Sequence, residues 1–209
     1  NYNDYTISNL KKILKKDVIL IVIPFVRFEG YWLPEQYKKL RFFSGNSVSY
    51  FPNVNENNID EYLNFKLDIK MVYSHFIKCL KKLKSIENES DIKFYEFFIK
   101  NHKEFPMFRD NYHPTMNMLE YIGSEIMKKI NSKIEINYNM KSLKLSKDVK
   151  EYGHYKPMLT SMKNILGINY DLDNVFIWSR KEYLKKILEY EKTGKVAIKD
   201  LDDMKVKLS

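Results

Sequence analysis

The chain has a single cysteine, Cys79, and four histidines in 209 residues. One cysteine excludes an internal disulfide and a thiolate zinc cluster. The histidines (His75, His102, His113, His154) are too scattered to suggest a metal site, and no metal is expected. Cys79 lies in the helical stretch Phe76-Ile77-Lys78-Cys79-Leu80, where a buried thiol is the expected role rather than a nucleophile. A reducing, cytoplasmic setting fits. Apolar runs are short as well: Val18 to Val26 is the longest candidate and Pro24 interrupts it, so no membrane span is expected. Gly-rich nucleotide signatures are missing, with neither G-x-G-x-x-G nor G-x-x-x-x-G-K-[ST], which counts against NAD- and ATP-dependent chemistry. No secretory signal is visible. The chain opens on Asn1 rather than Met, so an upstream segment of a longer polypeptide stays open.

What is present describes an ordered globular chain. Hydrophobic residues make up 44%, with 16 Tyr and 13 Phe, enough for one sizeable core and a single domain over residues 1–209. The net charge of +9 comes from lysine pairs spread along helical segments, such as Lys11-Lys12, Lys81-Lys82 and Lys185-Lys186, with acids interleaved. Most read as solvated helix faces. Abundant Lys, Asn, Ile and Tyr also match the codon bias of an A/T-rich genome, which raises lysine without a functional cause. Charge alone demands neither a phosphate-bearing ligand nor a nucleic acid, and nucleic acid is not the expected partner.

Periodicity gives the organisation. Leu10, Ile13 and Leu14 suggest a first helix capped by Thr6 or Ser8. The β-branched run Val18-Ile19-Leu20-Ile21-Val22-Ile23 reads as a strand buried on both faces, and helix followed by apolar strand is the mark of a parallel α/β layer. Phe25 to Pro34 forms an aromatic loop, Glu35 to Leu40 a short helix, and Phe42 to Asn58 is mostly loop. One long helical pattern runs from Ile59 to about Ile86, and another covers Ile92 to Asn101. A helix from Thr115, whose side chain can cap it, to Ile130 presents Leu119, Ile122, Ile126 and Ile130 on one face, and a short strand at Ile134 to Tyr138 is compatible with the pattern. Helices ending near Gly167 and spanning about Ser179 to Glu191 follow. The expected class is helix-rich α/β, a short parallel sheet flanked by helices, with a mostly helical C-terminal third.

The segment Asp110-Asn111-Tyr112-His113-Pro114-Thr115 carries the strongest chemical signal. A carboxylate three residues before an imidazole can fix its tautomer and stabilise its charged form, and histidine is the side chain best suited to proton transfer near neutral pH. The alternative is an Asp capping a turn that happens to contain a His. Elsewhere, Gly30 allows close backbone approach after the apolar run, and Tyr31 and Trp32 are candidates to stack on a ligand or to form an aromatic lid over the core. Asn46 in Ser44-Gly45-Asn46-Ser47 is an oxyanion-donor candidate, though an ordinary tight turn is the commoner role of Gly-Asn. His154 stands where a loop enters a helix and can contact a ligand or serve the structure. His75 and His102 read as surface residues.

Four segments together resemble one family: Val22-Ile23-Pro24-Phe25-Val26-Arg27-Phe28-Glu29-Gly30-Tyr31 with Pro34, Asp110 to Thr115, the helix after it, and Tyr152-Gly153-His154-Tyr155 with Pro157. In this order and spacing the chain resembles the WcbI-type polysaccharide biosynthesis proteins, a family of CoA-binding acetyltransferases. The Asp110-x-x-His113-Pro114 element also looks like the last block of SGNH-type hydrolases and acyltransferases, whose Asp and His belong to a catalytic triad. Two departures stand out. Tyr112 occupies the place where the family usually has Asn, with Asn111 one residue earlier. The Asn-Cys-Gln block with which the family begins has no counterpart here. The expectation is an upstream strand and nucleophile block in a longer polypeptide, or a protein that works without one.

The resemblance implies an SGNH-like fold and acyl transfer, of acetyl above all, from acyl-CoA to a sugar or nucleotide-sugar hydroxyl or amine in glycan synthesis. His113 is then the general base and Asp110 its orienting acid. Gly30, Asn46, Asn111, Tyr31, Trp32 and His154 are oxyanion or substrate-binding candidates, and Arg27 and Tyr155 candidates to bind coenzyme A. Two other readings stay open: an SGNH-like carbohydrate esterase, which needs a Ser or Cys nucleophile and no CoA, and a non-catalytic module binding glycan or CoA. The oligomeric state is open too, a homo-oligomer included.

Overall fold

Short polar side chains set several of the helix ends. The computed structural model describes residues 6–15, 18–32, 54–134, 143–148 and 155–193. Thr6 Oγ1 accepts the Asn9 N–H at 3.3 Å and starts α1 (Ile7–Ile13). The helical pattern from Ile59 to Ile86 is divided in two, α2 (Ile59–Leu63) and α3 (Ile69–Ile86). The break comes at Asn64, whose amide donates back to the Asp60 carbonyl, and at Asp68, whose Oδ1 accepts the Met71 N–H at 2.8 Å and restarts the helix. Hydrophobic spacing alone cannot see such caps, because both pieces keep the same apolar period.

Buried Glu87 begins α4 (Tyr95–Asn101) from outside the helix, its Oε2 accepting the N–H of Phe94 at 2.8 Å and of Tyr95 at 2.9 Å. α5 (Met116–Ile134) continues through Ile134, where the sequence admits a strand; residues 135–138 lie outside the described residues. Its buried face is Asn117, Met118 and Ile122, while Leu119, expected inside, is exposed. Thr115 does not cap it through its hydroxyl, which donates instead to the Pro106 carbonyl at 2.7 Å. α6 (Thr160–Leu166) ends on Gly167 at φ +65°, a left-handed conformation that glycine adopts without strain, with Ile168 N–H returning to the Lys163 carbonyl. α7 (Arg180–Thr193) is clamped at its start: Arg180 binds Asp173 through two parallel hydrogen bonds of 2.9 Å and donates to the Met158 carbonyl.

The expected parallel sheet is absent from the described residues. No strand occurs among them, and the one strand-like pairing is an isolated antiparallel bridge between Phe108 and Pro114. Val18 to Ile23 is neither helical nor part of a ladder. Nor is it buried on both faces, since Val18 and Ile23 are about half exposed. Val22 exchanges its hydrogen bonds with Asp91, donating to the carboxylate and accepting the backbone N–H, rather than with a neighbouring strand. A β-branched run states a preference for extended backbone, but a sheet needs a partner strand, which local sequence does not specify.

The core is a helical and aromatic one instead. α3 packs on α6, and α2 on α7. At the centre the Phe28 ring lies 4.6 Å from Phe98, 5.0 Å from Tyr31, 5.6 Å from Phe76 and 5.7 Å from Phe108, centroid to centroid. No helix among the described residues is long and apolar enough to cross a membrane.

Candidate functional site

The turn from Pro106 to Thr115 is held from inside and from both sides. Within it, the Arg109 N–H donates to the His113 carbonyl at 2.8 Å and the Thr115 N–H to the Met107 carbonyl at 3.0 Å. From outside, the Phe28 N–H reaches the Asn111 carbonyl at 3.0 Å and the Lys156 N–H the Arg109 carbonyl at 2.7 Å. Met107 and Phe108 sink their side chains into the core beneath. The turn is therefore fixed by backbone groups far away in sequence, which residue types alone could not reveal.

Asp110 and His113 meet within it. The buried Asp110 carboxylate takes the His113 ring at Nδ1, 2.7 Å from Oδ2 and 2.9 Å from Oδ1. Its Oδ1 also accepts the N–H groups of Tyr112 at 2.8 Å and His113 at 3.0 Å. The His113 side chain is 58% exposed while that of Asp110 is 4% exposed. With Nδ1–H committed to the carboxylate, the neutral ring carries its lone pair on Nε2, the nitrogen a substrate can reach. That is the tautomer a general base requires, and it lies on an open face.

The other sequence candidates fall in different places. Tyr31 is fully buried, with its hydroxyl donating to the His102 carbonyl at 3.2 Å, so it is core and not a stacking platform for a ligand. Trp32 is buried as well, its Nε1–H on the Lys156 carbonyl at 2.8 Å. Gly30 serves packing: a Cβ there would lie 2.5 Å from Phe28 Cζ and 3.0 Å from Phe76 Cδ2. Asn111 adjoins the dyad, but its Oδ1 is buried without a hydrogen-bond partner among the described residues, and an oxyanion would need the Nδ2 end instead. Tyr155 is buried between Phe176 and Tyr183, ring centroids 4.2 Å away on each side, and its hydroxyl donates to the Trp178 carbonyl. It faces the interior rather than a cofactor. Arg27 is half-buried, its guanidinium 6.0 Å from the Phe25 ring centre. Asn46 and His154 lie outside the described residues.

A cavity of about 20 Å³ lies behind the turn, lined by Trp32, Pro106, Phe108, Arg109, Tyr155 and Lys156 among others. That is room for about one water. His113 does not line it.

Two histidines expected at the surface are drawn inward. His102 is buried, stacked on Phe98 at 5.0 Å and 14°, and burial, assisted by the Lys103 charge, pushes its pKa down to about 4. The four-residue step from Phe98 on α4 to His102 at its C-terminal cap is the sequence signal for this. His75 is half-buried with Nε2 3.2 Å from the Glu29 carbonyl and 3.6 Å from Cys79 Sγ. Burial lowers the His75 pKa and, with the Glu29 charge behind it, raises the Cys79 thiol to about 11, so this thiol is not an activated nucleophile. No group of three or more His, Cys, Asp or Glu among the described residues is placed to hold a metal ion. No protein-family model, curated protein or solved structure matches the chain.

Proposed function

We propose that the chain is an acyltransferase in which His113 removes a proton from a sugar hydroxyl or amine as that group attacks the thioester carbonyl of an acyl-CoA. The observation that carries the reading is the 2.7 Å contact from the buried Asp110 carboxylate to Nδ1 of a ring that is otherwise exposed. In the step itself, the acceptor oxygen or nitrogen bonds to the acyl carbon while Nε2 takes its proton. The carbon–sulfur bond then breaks, and the imidazolium returns the proton to the departing thiolate. Asp110 stabilises the imidazolium formed in between. Of the two residues expected to hold coenzyme A, Arg27 remains suited to a phosphate, while Tyr155 is committed to the core. The acceptor would be met at the open face of the ring, whose side chain is 58% exposed.

Thermal unfolding with and without CoA tests the reading. CoA at 100 times its dissociation constant adds roughly 2.7 kcal/mol, which raises the midpoint by roughly 5–10 °C for a chain of this size. Acetyl transfer from acetyl-CoA to an oligosaccharide, lowered by about 10² or more in His113→Ala, completes the test. A shift with oligosaccharide but none with CoA would point to deacylation or simple glycan binding instead.

A further inference from the structure

The 18 residues of α3 include five lysines, no arginine and no carboxylate. Val72, Phe76, Cys79 and Leu83 bury its inner side in the core. Lys70, Lys78 and Lys81 are exposed, and no carboxylate among the described residues forms an ion pair with them. Lys82 is partnered by Glu29 at 3.6 Å, and Lys84 lies 5.1 Å from the Tyr95 ring centre. Beside these lysines runs an exposed apolar line, Ile69, Tyr73 and Ile77, spaced four residues apart and 59%, 48% and 48% exposed. The Tyr73 hydroxyl donates to the Ile165 carbonyl at 2.8 Å, which holds that ring at the surface.

We propose that this face docks the protein peripherally on an anionic lipid surface. The charge complements acidic headgroups, and the apolar line enters the boundary between headgroup and acyl chain, where aliphatic side chains and tyrosine are favoured. A nucleic acid would satisfy the lysines but leave Ile69 and Ile77 without a partner, and this helix lacks the arginine fork that grips phosphate through two hydrogen bonds. The proposal stands independently of the acyl-transfer reading.

Cosedimentation of the whole chain with vesicles tests it, using phosphatidylcholine alone against three parts phosphatidylcholine to one part phosphatidylserine. The expected result is binding to the mixed vesicles only, weakened by salt. The triple variant Lys70→Glu, Lys78→Glu, Lys81→Glu should weaken it by at least about tenfold, and the matching glutamine triple by less. A control of equal charge, Lys100→Glu, Lys133→Glu, Lys144→Glu on exposed positions elsewhere, should retain most of the binding. All these positions are exposed, so unchanged melting midpoints are expected. No binding to mixed vesicles overturns the proposal. So does an equal loss in the control triple, or tighter binding to a single-stranded oligonucleotide at the same salt.

Discussion

Asp110 grips His113 twice, taking the imidazole at 2.7 Å on Oδ2 and the backbone N–H of the same residue at 3.0 Å on Oδ1. Ring orientation and turn conformation are thus set by one buried carboxylate. Asp110→Asn separates the two roles. Its carbonyl oxygen can still accept the backbone N–H groups, but its Nδ2 donors then face Nδ1 and favour the proton on Nε2. The proposed activity should fall by about 10² or more, with a smaller change in melting midpoint than in Asp110→Ala, which removes both acceptors. Paired activity and melting measurements on the two variants check this; full activity in Asp110→Asn would refute the role of the carboxylate.

His102 makes stability depend on pH. Its folded pKa of about 4 lies below the ordinary 6.5, so the unfolded chain binds the extra proton first. Stability from this residue is therefore complete above about pH 6.5 and declines as pH falls toward 4, then levels off. The total is up to about 3 kcal/mol. His102→Phe, which keeps a ring against Phe98, should flatten that part of the profile. Urea midpoints measured at intervals through the window, in both proteins, give the difference directly.

Gly30→Ala should destabilise without touching the dyad. The added methyl meets the Phe28 ring at 2.5 Å and Phe76 at 3.0 Å, both side chains being buried. Overpacking of this kind costs about 1–3 kcal/mol, a melting midpoint lower by roughly 2–12 °C at this length. Gly123→Ala, where a Cβ meets nothing within 4 Å, is the control and should not lower the midpoint.

Local signals in the sequence translated well. Asp110 and His113 sit three residues apart, and a contact over that distance follows from turn geometry; the helices ending at Gly167 and starting near Ser179 follow from caps. Signals that depend on a distant partner did not translate. Val18 to Ile23 announces an extended backbone and nothing about what pairs with it, and the described residues supply Asp91 rather than a strand. Tyr31 and Trp32 are equally suited to a ligand or to a core, and only the arrival of Phe76, Phe98, His102 and Lys156 decides for the core. His102 reads as a surface residue in the sequence because a polar residue near a helix end is usually solvated, whereas here it continues the buried row of Phe98.

The turn bearing His113 borrows its anchors from Phe28 near one end of the chain and Lys156 toward the other. Contacts that span such sequence distances carry a loop-closure cost that local helix contacts do not. The ordered turn around Asp110 and His113 should therefore trail helix content on refolding, and a chain severed between these anchors would rebuild it only when its pieces reassociate.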